Sequence, residues 1–375
     1  MRKKEIDSLI DSYCGYLKHK DILEKTIYDI RNKLGRIMSI VDKDINKWTK
    51  KDALEIYYGI HELPAYLMHN KKYKGMATKE ILEVVRGTNY RRISSETVKK
   101  YLNTIKSFYK WVIGFGYAKV DIFENINVAK SKVKDNERRK AYSEKDLKLI
   151  FNDEIFHDSK HSGSFRYWIV IIAALLGMRQ SEISQLYKSN IKVINGFWCI
   201  AVEAKFKDQR IKNRKSIRLI PIPNELIRLG FLDFVSSCEE GPIFKDINRC
   251  DKDGYGRDVS RWFSKTKDKL GFCNKYTFHS FRHYFINNLK QKGVDLAIVS
   301  EITGHTYNSV AFENYGKDYS LKEKKKIIDK YSSETIKSLP RTYPKTRKNK
   351  YRLRDGFLSC LICLVDLDKF KAFNF

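Results

Sequence analysis

Only six prolines occur among the 375 residues. With so few breaks imposed on the helical hydrogen-bond ladder, a largely helical chain is expected. No apolar run is long enough to cross a bilayer. The longest near the end, Phe357 to Val365, falls well short of the ~20 residues a membrane helix needs. The opening residues, Met1-Arg2-Lys3-Lys4 followed by Glu5 and Asp7, lack the apolar segment of a secretory leader, so secretion is not expected. The seven cysteines are odd in number and irregular in spacing, which points to reduced thiols in a cytoplasmic protein. Cys360 and Cys363 form a Cys-x-x-Cys pair with no second pair nearby, which is weak ground for zinc or redox chemistry. No group of Asp and Glu stands near the histidines, so a metal-dependent nuclease is poorly supported.

Acid is scarce as well. Against 74 Lys and Arg there are 45 Asp and Glu, a formal charge of +29. Such a protein is drawn to a polyanion, either nucleic acid or an anionic membrane surface. The bland alternative is a lysine-rich composition spread over solvated faces. The length allows two domains, each with its own core. Residues 1–128 read as helices. The best of these starts at Ser94-Ser95-Glu96 and places Val98, Tyr101, Leu102, Ile105, Phe108, Tyr109 and Val112 on one face. Lys99, Lys100, Lys106 and Lys110 fall largely off that face, as solvated residues or as phosphate contacts. Residues 129–140 are dense in charge and nearly without apolar side chains, and they read as a basic linker.

A second domain is expected over 141–338, opened by a capping-box pair, Ser143 and Asp146. Trp168 to Leu176 is apolar all round, as in a core helix, and Gly177 ends it. One clear β signal follows: Ile191 to Ile194, the turn pair Asn195-Gly196, then Phe197 to Ala204 as a hairpin, with a third strand from Ser216 to Ile222. Helices resume to about Ser338. The tail, 339–375, carries a basic run and then an apolar end of unassigned role. The fold class is mainly α with a small antiparallel sheet.

Five residues carry chemistry. His279 and Arg282 lie three apart, so on a helix they share a face, while Phe278, Phe281 and Phe285 anchor the segment in a core. Arg179 follows the Gly177 break, with Glu182 three residues on. Two arginine forks from separate segments can clamp phosphate oxygens and stabilise a pentavalent transition state. His305 follows Gly304 after a short helix, and Tyr315 lies ten residues on. A phenol can attack a phosphodiester if placed in line and if cations neutralise the phosphate. Tyr307 and Tyr319 are its nearest competitors. The stretch from Val294 to Gly304 also has the look of a helix-turn-helix reader of DNA.

Taken together, Arg179-Gln180-Ser181-Glu182, His279-Ser280-Phe281-Arg282-His283, Thr303-Gly304-His305 and Asn314-Tyr315-Gly316-Lys317 resemble the tyrosine recombinases, the phage-integrase group. The resemblance spans roughly 95–335 and includes residues 93–117, similar to the family's N-terminal core-binding helices. The His305–Tyr315 interval is one residue longer than in many members, as in several prophage-type integrases. The resemblance implies a helical core-binding domain joined to a mixed catalytic domain. It implies that Arg179 and Arg282 hold the scissile phosphate, that His279 assists binding and proton transfer, that His305 hydrogen-bonds the phosphate, and that Tyr315 is the nucleophile. Glu182 matches the acidic residue that supports the first arginine. A lysine of the β-hairpin is the general acid. Lys205, where the second strand is expected to end, is the choice, with Lys207 on the same face and Lys212 in the loop as alternatives. The partners implied are double-stranded DNA with specific recombination sites, three further copies in a tetramer on that DNA, and accessory DNA-bending proteins, with no membrane. Neither a nucleotide cofactor nor a metal is implied. Val294 to Gly304 then becomes scaffold for His305. The competing assignments are a type IB topoisomerase and a DNA-binding protein whose catalysis has lapsed.

Overall fold

The computed structural model describes residues 2–20, 22–41, 43–67, 70–128, 139–213, 216–251, 254–305 and 318–344. The chain divides into two compact units, Met1–Glu137 and Arg138–Phe375. No described helix is long and apolar enough to cross a membrane.

The first unit contains α1 (Arg2–Lys18), α2 (Glu24–Met38), α3 (Lys50–His61), α4 (Thr78–Val85) and α5 (Ser95–Gly114). The N-terminus of α5 is capped by Ser94, whose Oγ accepts from the Thr97 N–H at 3.3 Å. Its buried face is Val98, Leu102, Ile105, Phe108, Tyr109 and Val112, the helical stripe expected from spacing, and it packs on α2 and α3. The Trp48 ring stacks on Tyr109 at 6.0 Å, which ties the loop before α3 to the same core. Lys99, Lys100 and Lys110 are exposed; Lys106 is half-buried and its Nζ donates to Asn127 Oδ1 at 3.2 Å.

The second unit is built around one central apolar helix. It opens with α6 (Glu144–Phe151), whose Ser143 and Asp146 form the capping box, and continues to α7 (Phe165–Leu176) and the one-turn α8 (Gln180–Ser184). Every residue of α7 except Arg166 is buried. A helix apolar on all sides loses exposed surface wherever it turns, so it becomes the axis against which the other elements pack. The sheet is β1 (Ile191–Ile194), β2 (Phe197–Val202) and β3 (Arg218–Pro221), antiparallel in that order. Asn195 and Gly196, at φ 48° and 79°, make the two-residue turn, which pairs Ile194 with Phe197. After the sheet come α9 (Asn224–Leu229), α10 (Phe231–Ser237), α11 (Gly256–Lys269), α12 (His279–Gln291), α13 (Leu296–Thr303), α14 (Leu321–Lys330) and α15 (Glu334–Lys337).

The sheet is shorter than its sequence pattern suggests. Strand β2 ends at Val202, paired with Arg218, and not at Ala204; β3 spans Arg218–Pro221, not Ser216 to Ile222. Beyond Val202 the backbone is satisfied locally instead of by a ladder. Gln209 Oε1 accepts from the Lys205 and Phe206 N–H groups at 2.9 and 3.3 Å, and Gln209 Nε2 donates to Gln185 O and Asn190 Oδ1. Lys205 and Lys207 therefore stand in a bend, both exposed, and strand alternation does not put them on one face.

Candidate active site

Arg179 owes its position to the end of the central helix. Gly177 terminates α7 in the left-handed conformation, φ 59°, and the chain re-enters a helix two residues later with Arg179 as the N-cap of α8. A Cβ on Gly177 would lie 2.6 Å from Phe285 Cδ1, so the α7 end and α12 touch through a glycine that packing also requires. Across this contact Arg282 Nη1 donates to Gly177 O at 2.8 Å.

The arginines differ in what they have. Arg179 Nη1 pairs with Glu182 Oε1 at 2.6 Å, and its Nη2 donates to Gly304 O at 2.9 Å. Among the described residues Arg282 pairs with no carboxylate. It is 1% exposed, its Nε reaches His305 Nε2 at 3.3 Å, and its Nη2 has no hydrogen-bond partner among those residues. A buried guanidinium nitrogen left unsatisfied costs on the order of 1–3 kcal/mol or more. Burial first, and then the Arg179 charge, lower the Arg282 guanidinium to about 9, still cationic near neutral pH. Such an unpaired cation marks a place built for an anion.

The histidines are held neutral. Burial, followed by the neighbouring His283 and then Arg282, lowers His279 to about 4; burial and then Arg282 and Arg179 lower His305 to about 4. His305 Nε2 faces the Arg282 donor, so it accepts, and Nδ1 then carries the proton toward Thr303 Oγ1 at 3.3 Å. Thr303 Oγ1 in turn donates to Val299 O at 2.7 Å. Gly304, at φ 67°, caps α13 and lets His305 leave at this angle. His279, the first residue of α12, meets the His283 ring edge-on at 4.8 Å. Burial, then Arg139 and Arg282, push the His283 imidazole below its ordinary value too.

Arg179 thus contacts Glu182, Arg282 contacts His305, and the two pairs are joined where Arg179 Nη2 meets Gly304 O, the residue before His305; His279 shares the helix face of Arg282. Tyr315 lies outside the described residues, as do Tyr307 and Lys317. The described residues on either side of it are both tied to α13: the His305 N–H donates to Ser300 O at 3.0 Å, and the Tyr319 N–H donates to Glu301 Oε2 at 3.0 Å. Lys324, itself buried, pairs with the same Glu301 at 2.8 Å. Lys205 is exposed, in a segment bound to Gln209. Nearer the site, Ser216 Oγ is 3.4 Å from Arg179 Nη1 and donates to Asn213 Oδ1 at 2.7 Å, which brings the end of the β2–β3 connection against the first arginine.

One site residue escaped the sequence reading. Arg218, on β3, donates Nη2 to Glu182 Oε2 at 2.8 Å and Nε to Ile302 O at 2.7 Å. Its signal was an arginine two residues before Ile220 on an apolar strand, in register with the core face. Among the described residues, Glu154, Asp158 and His161 are the one group spaced to hold a metal ion, and Lys160 Nζ already pairs with both carboxylates at 2.7 and 2.8 Å.

Two guanidiniums sharing one carboxylate, a third that pairs with none among the described residues, and two neutral imidazoles form a receptor for a tetrahedral oxyanion. Comparison with known proteins agrees in kind. Residues 152–320 match the profile of the phage integrase family. A tyrosine recombinase of Thermosipho africanus (strain TCF52B) is 22% identical over 304 residues, covering 80% of this chain and 92% of that protein. The Tn1549 transposon integrase in complex with circular intermediate DNA superposes with a TM-score of 0.54 at 17% identity, over 83% of this chain and 96% of that one. A lambda integrase tetramer bound to a Holliday junction gives 0.53 at 16% identity, over 81% and 78%. At these identities the structural likeness speaks for the fold.

Proposed function

We propose that this chain, whose residues 152–320 match the phage integrase family and which is similar to tyrosine recombinases, cleaves and rejoins DNA through a tyrosine: Arg179 and Arg282 hold the scissile phosphate and Tyr315 attacks it. The chain is a site-specific DNA recombinase. In the proposed reaction the Tyr315 Oη forms an ester to phosphorus, and the 5′-oxygen leaves as a hydroxyl after taking a proton. The 5′-hydroxyl of a partner strand then attacks the phosphotyrosyl bond and returns the phenol. One ester replaces another at each step, so the bond energy is kept and no nucleotide cofactor or metal is called for. The observation that carries this reading is the buried Arg282, whose Nη2 has no partner among the described residues, beside an Arg179 whose charge lowers it further.

In this reading His305 gives up its contact with Arg282 Nε and takes the tautomer with the proton on Nε2, which it donates to a phosphate oxygen, while Nδ1 becomes the acceptor for Thr303 Oγ1. His279 assists binding and proton transfer. Glu182 supports Arg179. The general acid is drawn from Lys205, Lys207 and Lys212. Lys205 matches by position, while Lys212 is favoured by contact, since its chain neighbour Asn213 reaches Arg179 through Ser216. A substrate with sulfur in place of the 5′-bridging oxygen needs no acid, because a thiolate leaves unaided. The lysine whose removal is rescued by that substrate is the acid. Further parts of the proposal are a cytoplasmic protein acting on a mobile or prophage element, double-stranded DNA with specific sites as substrate, and a tetramer on two such sites. The likeness to the lambda integrase tetramer supports the last. The exposed lysines of α5 are proposed to face the DNA backbone. The proposed organisation is a core-binding domain (1–128), a basic linker (129–140) and a catalytic domain (141–338); the division of the chain into two compact units, Met1–Glu137 and Arg138–Phe375, supports it.

The test uses the full chain with a library of nicked duplexes randomised at the core, in EDTA. A detergent-resistant, protease-sensitive protein–DNA band is expected, absent for Tyr315→Phe. Sequencing the trapped DNA yields the site. A band that survives in Tyr315→Phe overturns the assignment of the nucleophile, and relaxation of random supercoiled plasmid would favour a topoisomerase.

A further inference from the structure

Glu182 serves two arginines at once. Its side chain is 4% exposed and lies between Arg179, 18% exposed, and Arg218, 6% exposed. Arg218 takes both carboxylate oxygens, Nη2 to Oε2 at 2.8 Å and Nη1 to Oε1 at 3.2 Å. Arg179 gives one guanidinium nitrogen to Oε1 and its backbone N–H to Oε2 at 3.0 Å. Were Arg218 absent, the buried carboxylate would pair with Arg179 alone and cancel the charge on which a phosphate depends. With Arg218 present, the trio keeps a net positive charge, and the more exposed guanidinium is the one able to present it.

We propose that Arg218 is a charge-balancing, positioning residue: it neutralises Glu182 so that Arg179 keeps its cationic field for the scissile phosphate. This rests on the reading of Arg179 as a phosphate-holding group. A second observation points the same way. Burial raises the Glu182 carboxyl, and of the contributions that bring it below its ordinary value the Arg218 charge is the largest, ahead of those from Arg179. The same guanidinium also has a mechanical role. Its Nε and Nη1 bind Ile302 O and Ser216 O at 2.7 and 2.8 Å, and a Cβ on Gly304 would lie 2.7 Å from its Nη1. Arg218 therefore fixes both the end of α13, from which His305 departs, and the loop end that touches Arg179. A balancing role and a purely mechanical one predict different responses to the charge of the substrate.

The experiment measures single-turnover covalent-complex formation by the full chain, at saturating protein, on a nicked duplex recovered from the trapping assay. One version carries the ordinary scissile phosphate; the other carries an uncharged methylphosphonate there. Arg218→Met is expected to slow cleavage of the phosphodiester roughly 100-fold, the scale of losing one preorganised electrostatic contact. On the methylphosphonate, with one charge fewer to stabilise, the loss is expected to shrink to roughly tenfold. An equal loss on both substrates overturns the proposal. The double variant Glu182→Gln/Arg218→Met removes both charges of the buried Glu182–Arg218 pair and strands neither, so it decides the matter if the single variant fails to fold. It should cleave the phosphodiester within about tenfold of the native rate; a double variant about 100-fold slower overturns the proposal. Arg179→Ala is the control for the underlying reading. Native cleavage by Arg179→Ala would sink the phosphate assignment itself, whatever Arg218→Met does.

Discussion

Replacing Gly177 by alanine tests whether the α7–α12 contact sets the geometry of the site. The new Cβ meets three atoms of Phe285, at 2.6, 3.0 and 3.2 Å, and Phe285 is itself buried among the core residues of the second unit. Alanine at φ 59° also sits in the left-handed region, which costs an L-residue about 1–2 kcal/mol. Pushing a core ring aside adds about 1–3 kcal/mol. The expected destabilisation is therefore about 2–5 kcal/mol, a large part of an ordinary folding free energy. Because Gly177 O accepts from Arg282 Nη1 at 2.8 Å, the displacement also reaches the second arginine. Urea unfolding followed by tryptophan fluorescence reads the stability, and the covalent-complex rate in the folded range reads the site. Combining the change with Phe285→Leu should remove the steric part and leave the backbone part, so the two substitutions should couple favourably by at least about 1 kcal/mol. A Gly177→Ala protein within about 0.5 kcal/mol of the native one, or strict additivity with Phe285→Leu, refutes the reasoning.

Other perturbations have equally definite outcomes. Arg282→Lys keeps a charge but loses the fork that spans Gly177 O and His305, so the cleavage rate should fall about 10²–10³-fold with little change in DNA affinity; unchanged kinetics would contradict it. His279 and His305 titrate at about 4 in the folded chain against 6.5 ordinarily, so between those values the unfolded chain binds protons that the folded one does not. Their contribution to stability is full above about pH 6.5 and is lost as pH falls toward 4. The urea midpoint should drop between pH 7 and 5, and less so in His279→Gln; a midpoint equally pH-dependent in that variant counts against the assignment. Replacing Lys99, Lys100 and Lys110 by alanine should weaken binding to all duplexes alike and reduce the slope of log K against log salt by about 0.9 per lost contact. A loss confined to one sequence would mean base reading instead.

Much of the site was legible in the sequence because helical spacing places residues without knowledge of the fold. The step from His279 to Arg282 makes a shared face on any helix, and the three phenylalanines beside them specify which face is inward. Ser143 with Asp146, and Asn195 with Gly196, act within a few residues, so a cap and a turn could be read directly. The end of β2 was not legible. Ala204 continues an apolar pattern, but the local hydrogen bonds from Gln209 compete with the ladder and win, which carries Lys205 off the strand.

By itself the sequence determined the helical frame, the hairpin turn and the identity of the charged groups, since each depends on neighbours along the chain. Only the tertiary structure decided how those charges are shared. Glu182 is three residues from Arg179 but thirty-six from Arg218, and the second pairing exists because β3 packs beside α8 and α13. Among the described residues Arg282 likewise keeps one donor without a partner, while Gly177 and His305, from remote segments, occupy its other nitrogens. Electrostatic balance depends on distance through space in a low-dielectric interior, and linear spacing does not encode it.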